Sequence, residues 1–147
     1  MTAINPYALD AAARRVGDRW SLRIVAALLD GERTFGELAA AVDGIAPTVL
    51  TARLRALQRM ALVTAMPYAT RPVRMRYALT DPGRRLAGSL GALEQWGAAR
   101  EGDASATTHV ECGTAVETRP WCPTCDRPVD GETAPAPDGA DERLVWC

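Results

Sequence analysis

The segment Pro47-Thr48-Val49-Leu50-Thr51-Ala52-Arg53-Leu54-Arg55-Ala56-Leu57-Gln58-Arg59-Met60 reads as one amphipathic helix with proline at its first position. At about 100° per residue, Val49, Leu50, Leu54, Leu57, Met60 and Ala61 gather on one side. Thr48, Thr51, Ala52, Arg55 and Arg59 line the other. The outer face therefore offers two hydroxyls, a methyl and two guanidiniums. Such groups suit the base edges of a DNA major groove. Arginine can grip guanine O6 and N7, threonine a base edge or phosphate, and a methyl group the thymine methyl. The end around Thr48 would enter deepest. An ordinary solvated helix has the same composition, so this helix alone decides nothing. Arg53 projects beside the apolar stripe and is expected to be structural, snorkelling or paired with an acid such as Asp18 or Glu37.

The flanking segments supply the context. Asn5 and Pro6 can start a helix running from Tyr7 to about Gly17. Asp18 opens a second, Arg19 to Leu29, with Trp20, Ile24, Val25 and Leu28 at helical spacing. Asp30-Gly31 ends it. Thr34 caps a short helix through Val42, and Glu37 three residues on completes a capping box. Asp43-Gly44 is the next turn. Beyond Met60 the period changes to two. Leu62–Tyr68 and Val73–Leu79 read as strands around an Ala69-Thr70-Arg71-Pro72 tip. Val73, Met75, Tyr77 and Leu79 should point one way, Arg74 and Arg76 the other. Thr80 caps a long final helix with Pro82 in its first turn and a stripe of Leu86, Leu90, Leu93 and Trp96. Helix, helix, tight turn, helix, two-stranded ribbon, helix is the order of a winged helix-turn-helix. The ribbon would carry Arg71, Arg74 and Arg76 onto flanking phosphate or into the minor groove.

Charge agrees with a polyanion partner. The 147 residues carry a formal charge of −1, but residues 1–100 hold fourteen arginines against eight acids, and residues 101–147 three against ten. Gly44 to Thr80 contains six arginines, Arg53, Arg55, Arg59, Arg71, Arg74 and Arg76, and no acid at all. A solvated surface normally mixes its signs, and a basic body favours nucleic acid. No apolar run approaches the roughly 20 residues of a membrane helix, and the first ten residues carry no secretory pattern. The expected location is cytoplasmic. The body has no histidine, no cysteine and no recognisable catalytic carboxylate pair, so an enzyme is not expected.

Several runs together resemble the HxlR family of bacterial winged-helix regulators. They are Gly17-Asp18-Arg19-Trp20-Ser21-Leu22, Asp30-Gly31-Glu32-Arg33-Thr34-Phe35-Gly36-Glu37-Leu38, Gly44 through Leu57, Arg74-Met75-Arg76-Tyr77-Ala78-Leu79-Thr80 and Leu93-Glu94-Gln95-Trp96-Gly97. The likeness covers about residues 5–98 in unbroken order. It implies a homodimeric DNA-binding transcription factor. The first and last helices would pair the two copies, and the helix at Pro47 would read the operator. Two positions depart from the family pattern. Redox-sensing members carry a cysteine just before the N-terminal proline, where this chain has Asn5, so their thiol switch does not transfer. Thr48 stands where members often place a basic residue, so the operator should differ.

The C-terminal region has its own chemistry. His109-Val110-Glu111-Cys112 and Cys122-Pro123-Thr124-Cys125 place four metal-ligand residues in two tight pairs, with nine residues between them. That is the spacing of zinc-ribbon knuckles, and tetrahedral zinc accepts a Cys₃His set. A segment so short buries little, and zinc would supply its folding energy. A redox Cys122/Cys125 pair and plain free thiols are the rivals; Cys147 has no partner at ligand spacing.

The chain thus reads as mainly α (α+β): a winged helix-turn-helix with extra dimerisation helices over 1–100, a linker at 101–107, a zinc-ribbon-like segment at 108–130 with one structural Zn²⁺, and an acidic Pro/Ala-rich tail at 131–147. The expected function is a transcriptional regulator, read as a repressor, that binds a pseudo-palindromic DNA operator as a homodimer. The alternative is a protein-interaction or architectural winged-helix module without sequence-specific DNA binding. A small-molecule effector has candidate lining residues in Trp20, Tyr68 and Trp96; these aromatics also suit a core or an interface. No membrane partner is expected.

Overall fold

Short polar side chains open four of the helices. In the computed structural model, which describes residues 4–101, 108–114, 116, 119 and 121–129, helix α1 spans Pro6–Val16. Asn5 Oδ1 caps it by accepting the N–H groups of Tyr7 and Ala8 at 3.0 and 3.2 Å. Helix α2, Arg19–Leu29, begins at Asp18, whose Oδ1 accepts from Trp20 N–H and Ser21 N–H, both at 3.1 Å. Strand β1 is only Arg33–Thr34, and α3 follows as Phe35–Ala41 with the expected capping box. Thr34 Oγ1 accepts Glu37 N–H at 3.3 Å, while the Glu37 carboxylate accepts Thr34 N–H at 2.6 Å. Helix α4 runs Pro47–Arg59 behind Ala46, which offers no side-chain cap. Strands β2, Val63–Thr70, and β3, Val73–Leu79, form the ribbon. Helices α5, Asp81–Arg84, and α6, Ala87–Glu101, complete the body. Strands β4, Trp121–Cys122, and β5, Arg127–Pro128, form a separate antiparallel hairpin.

The core lies between α2, α3, α4 and the base of the ribbon. Ile24, Val25 and Leu28 of α2 meet Leu38 of α3, Leu50, Leu54 and Leu57 of α4, and Val63 and Leu79 of the strands, all buried. Each such side chain contributes on the order of 1.5–3 kcal/mol by leaving water. The ribbon then leaves this core. Leu79 is 4 % exposed and Val73 69 %, so the inward alternation holds only at the base of β3.

Several features differ from the sequence reading, among them the extent of β2, which runs on through Ala69 and Thr70 of the expected tip. β1 pairs with β3, Arg33 opposite Tyr77 and Thr34 opposite Arg76, giving a three-stranded sheet in the order β1-β3-β2. Two residues are too few to show a period. The long last helix is two helices. Thr80 caps only α5, accepting Gly83 N–H at 3.2 Å, and α5 is fastened to the ribbon base by Arg84 Nη1 donating to the Leu79 carbonyl at 2.8 Å. Gly83 fits there because it has no Cβ; an added one would lie 2.2 Å from the Leu62 carbonyl oxygen. Ala61 leaves the apolar side of α4, taking a left-handed φ of 55° as the chain turns into β2. Glu101, expected as the first linker residue, closes α6. The register of β2 on β3 shifts between Pro67 and Ala69. The expected linker at 102–107, the tail at 131–147 and Cys147 lie outside the described residues.

Asp18 ties these elements together. Besides capping α2 it sits 3.3 Å from Arg53 Nε of α4. Partial burial pushes its carboxyl pKa up, but bonds from the Ser21 hydroxyl and N–H, the Arg53 guanidinium and Trp20 N–H outweigh that and hold it below the usual carboxylate range. Its stabilisation is therefore complete above the unfolded pKa of about 3.9 and fades as pH falls through the lower folded value. Asp18→Ala should destabilise the body by about 0.5–2 kcal/mol at neutral pH, the range for lost caps. Urea unfolding should show the gap between wild type and variant narrowing as pH drops below about 4.

Candidate nucleic-acid interface

Burial of Leu50, Leu54 and Leu57 turns the opposite face of α4 outward. Thr48, Ala52, Arg55 and Arg59 are exposed and Thr51 half-buried. The Thr51 hydroxyl donates to the Pro47 carbonyl at 2.9 Å; its oxygen retains lone pairs for a donor from outside. Arg53 pairs with Asp18, the first of the two acids expected for it, and so belongs to the scaffold.

The ribbon divides its arginines. Arg71 and Arg74 are exposed towards its tip. Arg76, expected on the wet face beside Arg74, is half-buried and engaged instead. Its Nη1 donates to Glu32 Oε1 at 2.8 Å, its guanidinium lies 5.3 Å from the centre of the Tyr68 ring, and its Nε is buried without a protein acceptor. The hydrogen bond to Glu32 raises its pKa, and the charges of Glu32 and Glu37 add to this. The acid that the run Gly44–Thr80 lacks is thus brought from upstream, because the turn carrying Glu32 leads into β1. Arg55, Arg59, Arg71 and Arg74 have no hydrogen bond or ion pair among the described residues. Arg55 lines a cleft of about 250 Å³ between α4 and the ribbon, with Thr51, Gln58, Ala65, Met75 and Tyr77. The arrangement is a cationic helix face beside a cationic ribbon.

The aromatic residues considered for an effector stand on three separate elements, each against its own arginine. Trp20 lies under Arg19, 4.1 Å to the ring centre, and packs partly on the core. Tyr68 lies beside Arg76, and Trp96 beside Arg100 at 5.7 Å. Tyr68 lines a cavity between the ribbon and the start of α3, in which Trp20 and Trp96 take no part.

Apolar surface concentrates on the other side of the body. Helix α1 has no buried residue, and Ile4, Tyr7 and Leu9 are exposed, as are Leu93 and Trp96 of α6. Leu86 and Leu90, the first half of the expected stripe, pack against the core of the same chain. An open apolar cleft of about 390 Å³ runs between α1, α2 and α6, lined by Leu9, Val16, Leu22, Leu86, Leu90 and Leu93 among others.

In the C-terminal segment each expected ligand pair sits on its own tight turn. His109 Nδ1 and Cys112 Sγ are 3.4 Å apart, in a turn closed by Gly113 N–H on the His109 carbonyl at 2.8 Å with Gly113 at φ 69°. Cys122 and Cys125 share the β4–β5 turn. Cys125 N–H, the Cys125 thiol and Thr124 N–H all favour a Cys122 thiolate and lower its pKa, with a smaller part from Arg127, while that of Cys125 is raised by Cys122. The Thr114 hydroxyl and N–H lower the pKa of Cys112. These are metal-ligand donors in paired geometry. Among the described residues, no three His, Cys, Asp or Glu side chains converge on one point. The segment returns to the body, where Gln95 Nε2 of α6 donates to the Val116 carbonyl at 2.7 Å.

Among the described residues no helix is long and apolar enough to cross a membrane. Residues 15–104 match the HxlR-like helix-turn-helix family. The HTH-type transcriptional regulator MT3179 of Mycobacterium tuberculosis is 35 % identical over 122 residues, covering 80 % of this chain and 77 % of that protein. A solved structure of a MarR-family transcriptional regulator from Enterococcus faecalis V583 superposes with a TM-score of 0.59 at 32 % identity, over 69 % of this chain and 93 % of that one. PA1374 of Pseudomonas aeruginosa, described as a transcription factor, superposes with a TM-score of 0.68 at 31 % identity over 91 % of this chain and 94 % of its own. That coverage is wider than the body alone can supply, so the likeness includes part of the C-terminal segment. These relatives are regulators of transcription and not enzymes. From the match over most of the winged-helix body, the geometry of α4 and the ribbon, and these likenesses, the chain belongs to the HxlR-like helix-turn-helix family of DNA-binding transcriptional regulators.

Proposed function

We propose that this regulator is a cytoplasmic repressor that binds a pseudo-palindromic operator as a homodimer, with α4 in the major groove and the ribbon on the flanking backbone. The observation that carries the reading is the sorting of the arginines. Those beside the core are paired with acids, Arg53 with Asp18 and Arg76 with Glu32, while Arg55, Arg59, Arg71 and Arg74 on α4 and the ribbon have no partner among the described residues. Thr48, Thr51, Ala52 and Arg55 supply the base-edge chemistry; Arg59, Arg71 and Arg74 supply charge for phosphate. A compact body of this kind would repress by occupying its site.

The exposed apolar residues of α1 and α6 support the dimer. An isologous contact there would cover them and could set two copies of α4 about 34–36 Å apart, one turn of DNA. Sedimentation at micromolar concentration should give a dimer; a monomer would remove the basis for two half-sites. Arg55→Ala should weaken specific binding more than random-sequence binding, by about 1–3 kcal/mol if the guanine contact is bidentate. Arg71→Ala or Arg74→Ala should weaken both alike. Equal losses for Arg55→Ala, measured by competition between selected and random duplexes, would reduce Arg55 to a phosphate clamp.

For the C-terminal segment we propose one structural zinc ion per chain, held by His109, Cys112, Cys122 and Cys125. The donor set supports this: three thiols and an imidazole on two tight turns, with two of the thiols held at lowered pKa. Zinc would join the two turns and supply folding energy that so small a segment lacks. Metal analysis of protein prepared without chelator should find one zinc per chain, and Cys122→Ser should lose it. Removing residues after 101 should leave a folded body that still binds its operator, since the segment is acidic overall. Protein free of zinc would overturn the metal assignment.

A further inference from the structure

We propose that Glu32 and Arg76 form the latch that sets the ribbon relative to α4, and that Arg76 is a positioning residue rather than a DNA contact. The inference deepens the operator-binding reading above and rests on it. Glu32 stands in the turn between α2 and β1, Arg76 in the middle of β3, 44 residues on, and their side chains meet at 2.8 Å. On the backbone, Arg76 lies between Thr34 of β1 and Met66 of β2. This is where the ribbon leaves the body. Val63 and Leu79, nearer the base, are buried, whereas Met66, Tyr68 and Val73, nearer the tip, are exposed. The ion pair, with Tyr68 beside the guanidinium, is thus the outermost side-chain hydrogen bond or ion pair between ribbon and body among the described residues.

Its leverage follows from its place. Arg71 and Arg74 lie beyond it and have no partner among the described residues. The three steps of strand from Arg76 to Val73 span about 10 Å at about 3.3 Å each, so a change of about 20° at the latch would move the tip by about 3 Å, enough to lift a guanidinium off a phosphate. Arg76 itself is poorly placed for DNA. Its Nε is buried, Glu32 holds Nη1, and the negative charge of Glu37 is near. A phosphate would have to displace Glu32 and approach two carboxylates.

Charge reversal separates positioning from contact. The full chain would be used to select a duplex from a random-sequence pool. Binding to that duplex would then be measured for wild type, Glu32→Arg, Arg76→Glu, Arg76→Gln and the double variant carrying Glu32→Arg with Arg76→Glu, with a thermal melt for each. Each single reversal should weaken binding about tenfold or more, and Arg76→Gln should weaken it several-fold while melting near wild type. The double variant should return to within about threefold of wild type, with an unchanged slope of log affinity against log salt. Failure of the double variant to recover, full affinity in folded Arg76→Gln, or a salt slope reduced by about one per chain in the double variant would overturn the latch. Failure of the wild type to select any duplex would instead sink the DNA-binding reading itself.

Discussion

Burial of Leu50, Leu54 and Leu57 decides everything that α4 can do. With those three side chains against Ile24, Val25 and Leu28 of α2 and Leu38 of α3, the helix cannot rotate about its axis without drawing leucine into water. Losing one such side chain costs about 2–5 kcal/mol, a large part of the stability of a small domain. The outward direction of Thr48, Ala52 and Arg55 follows from that packing and needs no interaction of their own. A surface that must stay unpaired until it meets a partner is best oriented by what lies behind it.

The same core explains why the arginines fall into two groups. Arg53 lies at the margin of the apolar stripe, where a bare guanidinium would be partly desolvated, and Asp18 answers it at 3.3 Å. Arg76 lies at the margin of the sheet, and Glu32 answers it. At about 40 % exposure such pairs add little stability; what they supply is direction. Arg55, Arg59, Arg71 and Arg74 lie clear of both margins and are exposed. The chain contains no lysine, so every one of these contacts uses a planar fork that can pair along two parallel bonds.

What could be read from the sequence was local. Asn5, Asp18, Thr34 and Glu37 each act on backbone groups within three residues, and their caps form as expected. The structural role of Arg53 follows from its angle on one helix. Features that depend on distant residues could not be read. β1 is a strand only because β3 lies beside it, and Glu32 meets Arg76 only through that pairing. The break between α5 and α6 reflects the docking of Gly83 against Leu62, which helical periodicity does not register. Within the site, exposure of Arg55 and Arg59 was legible because one helix determines it, whereas the inward bond of the Thr51 hydroxyl was not. The two ligand pairs were legible singly, each on its own turn; among the described residues they do not converge on one point, and whether they do so around a metal is a long-range property that spacing does not encode.

Among the described residues the order β1-β3-β2 leaves β2 with a partner on one side only. An open strand edge is a template for polymerisation, and regulators that crowd together on a chromosome would be exposed to that hazard. Here the edge is a poor template. Pro67 interrupts its succession of amide donors, and the register shift that follows bends the strand out of the straight line another copy would need. The irregularity that makes β2 an untidy strand therefore also serves colloidal stability, keeping copies from adding edge to edge.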